Sequence, residues 1–589
     1  MDNYGKKGHI EEEWILDHTM TDDLTRTDIY RYIVQLNFQL VRTDHLLNLK
    51  YKWKKLLKQL FASPSTYVNE IIVVCKLVLY TRDIHFGKGE RDLSYMMLLT
   101  LYEVNAMMAI MLFDYFVKKL PNKTSIGCWK DSKRMAQYIL DETDDKKHNL
   151  ILYIVEVSNV YLKSDHDRIT DIYNLFNEED ADNEKIKQYI KKYEDLTLAA
   201  KWLPRKSCNN HKYGWFFTQL AKNMYGDYFK TIYLKNGKVN QKLFKRALNK
   251  CEMNYRKMLS FVNKHLNVVE ILQCSHKTNE IDFSKIPVKA LNQYHRSFMQ
   301  THTETHKLCF QNYTKYIDNA THISNHLYLY QIVKKIIEKK LWCFPDNFPE
   351  KQLAIKMWNS RKTPIKHMKN IPVIDMSQSM GKVGSYNAIA LGVYISEHNT
   401  GNFKNNVLLF GNKPRWLSLN NMNICEKVRE IVKYNHNVNS DLYGVFNMLI
   451  DIVKRTELPI DELKPLTVTI LSDMQIEDNS KHERVTRLPF YDNIKSIFRA
   501  EGISLPQIVF WNLKHSNGFP ISIENDDIVM FSGFNENVLT QFKSDDKYRH
   551  LHKKEDDNVP EKRNILFNIL SNKRYDFIDK EVVDILFHD

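Results

Sequence analysis

The sequence predicts two unlike parts in one chain: an irregular all-helical array, then an α/β domain with a mainly parallel sheet. Three observations predict it. The chain has 589 residues, too many for one compact core. Apolar residues recur at three- and four-residue steps as far as about residue 360. From residue 366 onward, short β-rich apolar runs alternate with helical stretches.

The helical pattern is strongest in Ile29–Leu47, Val68–Tyr80, Leu93–Leu120, Ile151–Leu162, Trp215–Tyr233, Leu243–Leu272 and Ile323–Leu341. Turn-forming breaks separate these runs, among them SPS at 63–65, FGKG at 86–89, PNKTSIG at 121–127 and LPRKSCNN at 203–210. No fixed repeat length emerges, so a HEAT-like but irregular array is expected. The highly charged stretch 163–196 reads as exposed helix and loop. Residues 1–24 are expected to be a tail, 25–365 a basic helical domain and 366–589 the α/β domain.

In the last part, strands are expected at Ile371–Ile374, Val407–Phe410, Leu466–Leu471, Gln507–Trp511 and Ile528–Phe531. Helices are expected at Ser385–Glu397, Asn423–Lys433, Asp441–Lys454 and Tyr491–Ala500. Strands alternating with helices imply a parallel sheet covered on both faces. Short helices at Arg563–Leu570 and Lys580–Phe587 would cap it.

Composition narrows the class. Hydrophobic residues make up 43% and charged residues 26%, ordinary for a soluble globular protein. The opening MDNYGKKGHIEEEW lacks the apolar core of a secretory signal. The most apolar stretch, Tyr95 to Phe113, carries Glu103 and Asn105, which suits a buried helix and not a membrane span. Eight cysteines, none in a C-x-x-C pair, suggest free thiols in a reducing compartment, so a cytoplasmic location is expected. The net charge of +14 is unevenly spread. Residues 366–589 hold 28 basic and 30 acidic residues, a net of −2, which leaves 57 against 41, a net of +16, in residues 1–365. A localised basic excess is the footprint of a polyanion-binding surface, or simply of a solubilising one.

The chemistry concentrates in IPVIDMSQSMGK, residues 371–382. A buried strand delivers Asp375 at its C-terminal end, with Ser377 and Ser379 in the loop before a helix. In open α/β sheets, ligands bind outside the C-terminal ends of the strands. The D-x-S-x-S spacing sets one carboxylate and two hydroxyls around one point, hard oxygen donors suited to Mg²⁺ or Mn²⁺. A second apolar strand, LTVTILSD, ends in Asp473 beside Asp375, and NVNSDLYGVF supplies Ser440 between them. Two other readings compete. The serines can merely cap the following helix. Alternatively, the motif serves phosphoryl transfer, but a D-x-D nucleophile needs an acidic residue at 377, where Ser stands.

This constellation resembles the metal-ion-dependent adhesion site of von Willebrand A domains. Asp375, Ser377 and Ser379 match the family's first motif, and Asp473 matches its final Asp. Ser440 stands where the family usually has Thr, which keeps the hydroxyl. The resemblance implies a bound Mg²⁺ or Mn²⁺ with one position open for an Asp or Glu of a protein partner, and no catalysis.

Upstream, TRDIHFGKGERDL at 81–93 reads as a tight helix connection, with phosphate contact by Lys88 or Arg91 as the sharper alternative. With GCWKD at 127–131 and KWLPR at 201–205, it resembles an uncharacterised domain-of-unknown-function family of plants, fungi and large DNA viruses. The helical-plus-A-type layout is similar to Ro ribonucleoproteins (TROVE), whose helical ring binds small structured RNAs. That likeness implies RNA contacts in the basic stretches 48–58 and 234–257, where Lys54, Lys55, Lys245 and Arg246 are the candidates. HTETH at 302–306 reads as an exposed polar helix more readily than as a metal site. Three functions follow as expectations: a non-enzymatic RNA-binding scaffold with a Mg²⁺ recognition site, a protein-only scaffold (a virion component if the source is viral), and an enzyme.

Overall fold

A computed structural model describes residues 25–120, 124–176, 196–206, 211–235, 238–266, 268–319, 327–361, 369–410, 414–434, 442–456, 466–474, 490–515, 528–536, 539 and 565–587. The tail at 1–24 lies outside these residues. The chain divides into two compact units. One comprises residues 1–100, 287–295 and 314–589; the other comprises 101–286 and 296–313.

The first unit is built on a six-stranded sheet. In chain order its strands are β1 (Asn370–Asp375), β2 (Asn406–Phe410), β3 (Arg415–Ser418), β4 (Thr467–Ser472), β5 (Gln507–Asn512) and β6 (Ile528–Ser532). They lie in the order β3-β2-β1-β4-β5-β6, all parallel except the antiparallel edge strand β3. The central strands are continuous apolar runs because both faces are covered: every residue of β1 and β2 is buried. On one face Val373, Phe410, Val468, Ile470 and Phe510 pack with Leu442, Val445, Phe446 and Leu449 of helix Leu442–Thr456 and with Ile494 and Phe498 of helix Phe490–Ala500. On the other, helix Gly381–Glu397 lies so close that a Cβ on Gly392 would come within 2.4 Å of Ile374 Cδ1. A side chain there would require the Ile374 side chain or the helix to shift.

Three N-terminal helices, Arg26–Gln39, Leu47–Ala62 and Val68–Arg82, belong to this same unit. Phe38 joins the apolar core of the sheet. The C-terminal helices Ile565–Leu570 and Phe577–Phe587 pack against Val68–Arg82, with Lys76 and Asp579 paired at 2.6 Å. The change from helical to strand periodicity near residue 366 therefore marks a change of secondary structure inside one compact unit. The compact units do not part there.

The second unit is helical. Helices Ala106–Val117, Lys130–Thr143, Asn149–Phe176, Gly214–Tyr233 and Gln241–His265 enclose Leu112, Phe113, Met135, Ile139, Ile154, Phe217, Leu220 and Leu259. A buried polar pair is satisfied inside: Tyr255 Oη donates to Asn159 Oδ1 at 3.0 Å, and Asn159 Nδ2 to the Leu220 carbonyl at 3.0 Å. Several expected helices are shorter or interrupted. The run expected from Leu93 to Leu120 breaks at 103–105, where the Asn105 side chain caps the next helix by accepting from Met108 N. A two-residue antiparallel ladder, Leu234–Lys235 with Lys238–Val239, interrupts the basic stretch 234–257. Helix Glu304–Asn319 begins inside HTETH, so His302 lies before it and does not share a helix face with His306. Among the described residues no helix is long and apolar enough to cross a membrane. The described cysteines are free, with Cys75, Cys251, Cys309 and Cys425 buried.

Candidate metal centre

Strand order places the candidate site. The chain leaves β1 to one side and returns at β4 on the other, so a crevice opens at the C-terminal ends of these two neighbours. Register pairs Ile374 with Leu471, which brings Asp375 and Asp473 to the same rim. Both are buried, at 1% and 0% exposure.

The loop after β1 is short because helix Gly381–Glu397 starts four residues earlier than its apolar pattern suggests. Gly381, at φ 61°, makes the tight entry. Ser377 N–H donates to Asp375 Oδ1 at 2.8 Å, folding the loop back over the carboxylate. Ser377 Oγ and Ser379 Oγ lie 2.9 Å apart. Neither hydroxyl caps the helix, so the capping alternative is not what the serines do.

Ser472, the last residue of β4, donates to Asp375 Oδ2 at 2.6 Å and accepts from Met474 N at 3.1 Å. Sequence reading missed it; its only signal is a hydroxyl beside a strand-end Asp. Burial pushes the Asp375 carboxyl up to about 6; hydrogen bonds from Ser472 and Ser377 pull it down, and the Asp473 charge adds to the rise. Lys514, also missed, donates from Nζ to the Ser379 carbonyl and so ties the loop to the end of β5.

The donor set suits a small hard cation. Two like-charged carboxylates are held together in a buried site, and a divalent ion would relieve both burial and repulsion. The two hydroxyls are hydrogen-bonded to each other at 2.9 Å, a spacing that two neighbouring ligands of an octahedral Mg²⁺ at about 2.1 Å would also have. Ser440 lies outside the described residues. Among the described residues no group of three or more His, Cys, Asp or Glu is placed to hold a metal. This site differs in kind, since hydroxyls stand in for two such ligands.

The candidate RNA contacts fare differently. Lys88 is fully buried, and its ammonium donates to the carbonyls of Asn37 (2.5 Å) and Leu40 (3.0 Å) and to Ser532 Oγ (2.7 Å). It is therefore not a phosphate contact but an internal clamp. The segment 81–93 is a tight helix connection whose charged residues reach distant partners: Asp83 meets Arg574 and Tyr575, and Glu90 meets Arg42 through two 2.9 Å bonds. Gly89, at φ 68°, lies where a Cβ would strike the Tyr328 hydroxyl. Arg91, Lys54 and Lys55 are half-buried, while Lys245 and Arg246 are exposed on helix Gln241–His265 of the other unit.

Residues 369–577 match a family described as a domain of unknown function (DUF7788), and residues 166–340 match a second such domain (DUF2828). "Uncharacterized protein L728" of Acanthamoeba polyphaga mimivirus is 24% identical over 482 residues, spanning 79% of this chain and 76% of the viral protein. The chain is thus similar to uncharacterised domain families and to a protein of a large DNA virus.

Proposed function

We propose that residues 366–589 form a von Willebrand A-type domain whose strand-end site binds Mg²⁺ or Mn²⁺ and uses it to capture an acidic residue of a partner protein. The observation that carries this reading is the pairing, at one switch point, of two buried carboxylates with two hydroxyls 2.9 Å apart. Neutral hydroxyl ligands leave most of the ion's positive charge uncompensated, which favours an incoming Asp or Glu. Position 377 holds Ser where a phosphoryl-transfer nucleophile of the D-x-D type needs an acidic residue, so we read the site as a recognition device and the protein as a non-enzymatic scaffold. Calorimetric titration of the full chain with Mg²⁺, and pull-down of partners with and without EDTA, test this. Saturable binding lost in Asp375→Ala, with partner capture lost in EDTA, is the expected result. Capture indifferent to both would overturn it.

A second reading concerns the helices. The net of +16 over residues 1–365 favours a polyanion ligand such as a small structured RNA. Filter binding of the full chain across a salt series tests it; a flat salt response would count against it and leave the protein-only scaffold.

A further inference from the structure

Helix Gln241–His265 carries seven lysines and arginines and one acidic residue, Glu252. They are sorted by side. Glu252 is buried, paired with Lys206 at 2.6 Å and accepting from the Thr218 hydroxyl at 2.7 Å. All seven lysines and arginines are exposed. The inner side, with Ala247, Tyr255 and Leu259, packs against helices Gly214–Tyr233, Asn149–Phe176 and Ala199–Trp202. The opposite side carries the cations. Among the described residues none of these seven meets a carboxylate; the Lys250 ammonium lies 5.9 Å from the centre of the Phe229 ring.

The order of residues on this exposed side is specific. Successive residues of an α-helix are turned by about 100°. Viewed down the axis, Arg246 and Asn249 therefore fall within about 40° of Met253 and form a central line with it. Lys250 and Lys257 lie about 40–60° to one side of that line, and Lys245 and Arg256 about 60–80° to the other. Met253 is 41% exposed, and Arg246 and Asn249 are exposed with it. Two cationic flanks thus border a line of one arginine, one amide and one thioether. From Lys245 to Lys257 the helix rises roughly 18 Å, the length of about five stacked base pairs.

We propose that residues 245–257 of this helix lie in the major groove of a DNA duplex. The two flanks contact phosphates of the two strands, and Arg246, Asn249 and Met253 meet the base edges between them. An α-helix with its side chains fits the major groove of B-form DNA, which is about 12 Å wide. Arginine reads guanine, asparagine reads adenine, and an apolar group meets the thymine methyl. Duplex RNA fits less well, because its major groove is deep and narrow. A single strand fits less well too, since none of the exposed residues of this helix is an aromatic on which a base could stack. The inference rests on the reading that the helical region takes a polyanion, and it names which one and where it binds.

The test titrates the full chain by fluorescence anisotropy, over a salt series, against a labelled DNA duplex of randomised sequence, a duplex RNA and a single-stranded DNA. Duplex DNA should bind most tightly, with an affinity that falls steeply with salt. The flank variants Lys250→Gln/Lys257→Gln and Lys245→Gln/Arg256→Gln should each shrink the log–log salt slope by roughly 1.8, or 0.9 for each phosphate contact removed. Selection from the randomised pool should enrich a short motif. Asn249→Ala should lower affinity for the enriched duplex about tenfold and leave the salt slope unchanged, a split that a merely cationic surface would not produce. Unchanged melting curves would show that the variants fold. Duplex RNA bound as tightly as DNA, a preference for the single strand, no enriched motif, or flank variants indistinguishable from wild type would overturn the proposal and leave the polyanion reading standing. Binding to none of the three nucleic acids would remove both.

Discussion

Two buried polar clusters in the same unit differ in how their charges are met. In the segment 81–93, opposite charges face one another where Asp83 meets Arg574 and Glu90 meets Arg42, while burial holds Lys88 well below the usual lysine range and its Nζ donates to three neutral oxygens. At the ends of β1 and β4, like charges are adjacent: Asp375 lies beside Asp473 and is met by hydrogen bonds from Ser377 and Ser472. The first arrangement is complete in itself and reads as a clamp. The second is one that the proposed cation would complete. Buried charge alone therefore does not mark a functional site; the sign of the neighbours does.

The largest effect should come from breaking the clamp. Asp83→Ala leaves the Arg574 guanidinium, itself only 8% exposed, without its carboxylate, and should cost about 3–5 kcal/mol in chemical denaturation. A loss within the range of ordinary surface changes would mean that this pair is not what joins the N-terminal helices to the C-terminal ones.

Asp375→Asn should act in the opposite direction. Its carboxyl is raised in the folded state, so the stability it contributes is present below the unfolded value near 4 and lost as pH rises through about 6. In EDTA the variant should match wild type near pH 3 and exceed it at pH 7.5 by about 3 kcal/mol. Mg²⁺ should raise the wild-type melting temperature at pH 7.5, do little at pH 5 where protons compete, and leave the variant unmoved. A variant less stable than wild type at pH 7.5 without metal would break the contrast between the clusters.

Smaller effects sharpen it. Ser379→Ala removes one hydroxyl, half-exposed and bonded only to its fellow serine among the contacts described, and should lower Mg²⁺ affinity about tenfold in calorimetry while leaving stability nearly unchanged. Smallest of all, Lys245→Gln with Arg246→Gln on an exposed helix face should alter thermal stability by no more than about 0.5 kcal/mol.

Much of the sheet was legible because its strands are local patterns. The apolar runs at 371–374 and 507–511 lie inside β1 and β5 with an extra residue at one or both ends. The run expected at Leu466–Leu471 is shifted by one residue in β4. Asp375, Ser377 and Ser379 were legible for the same reason, being fixed by spacing within one loop. Strand β3 was not, since Arg415–Ser418 is short and half-exposed at an edge and owes its conformation to pairing with β2. Nor were Ser472 and Lys514, whose roles arise only from strand register. The inclusion of the N-terminal helices in the sheet's unit depends on contacts more than 440 residues apart, such as Asn512 Nδ2 to the Phe38 carbonyl, and no local periodicity encodes these.

The most direct measurement is a crystal structure of the full chain soaked in Mn²⁺, with anomalous scattering locating the ion. The account predicts one peak at the β1–β4 rim, about 2.1–2.3 Å from the hydroxyl oxygens of Ser377 and Ser379 and adjoining the carboxylates of Asp375 and Asp473. An empty rim in a crystal that binds Mn²⁺ elsewhere, or no Mn²⁺ at all, would contradict it.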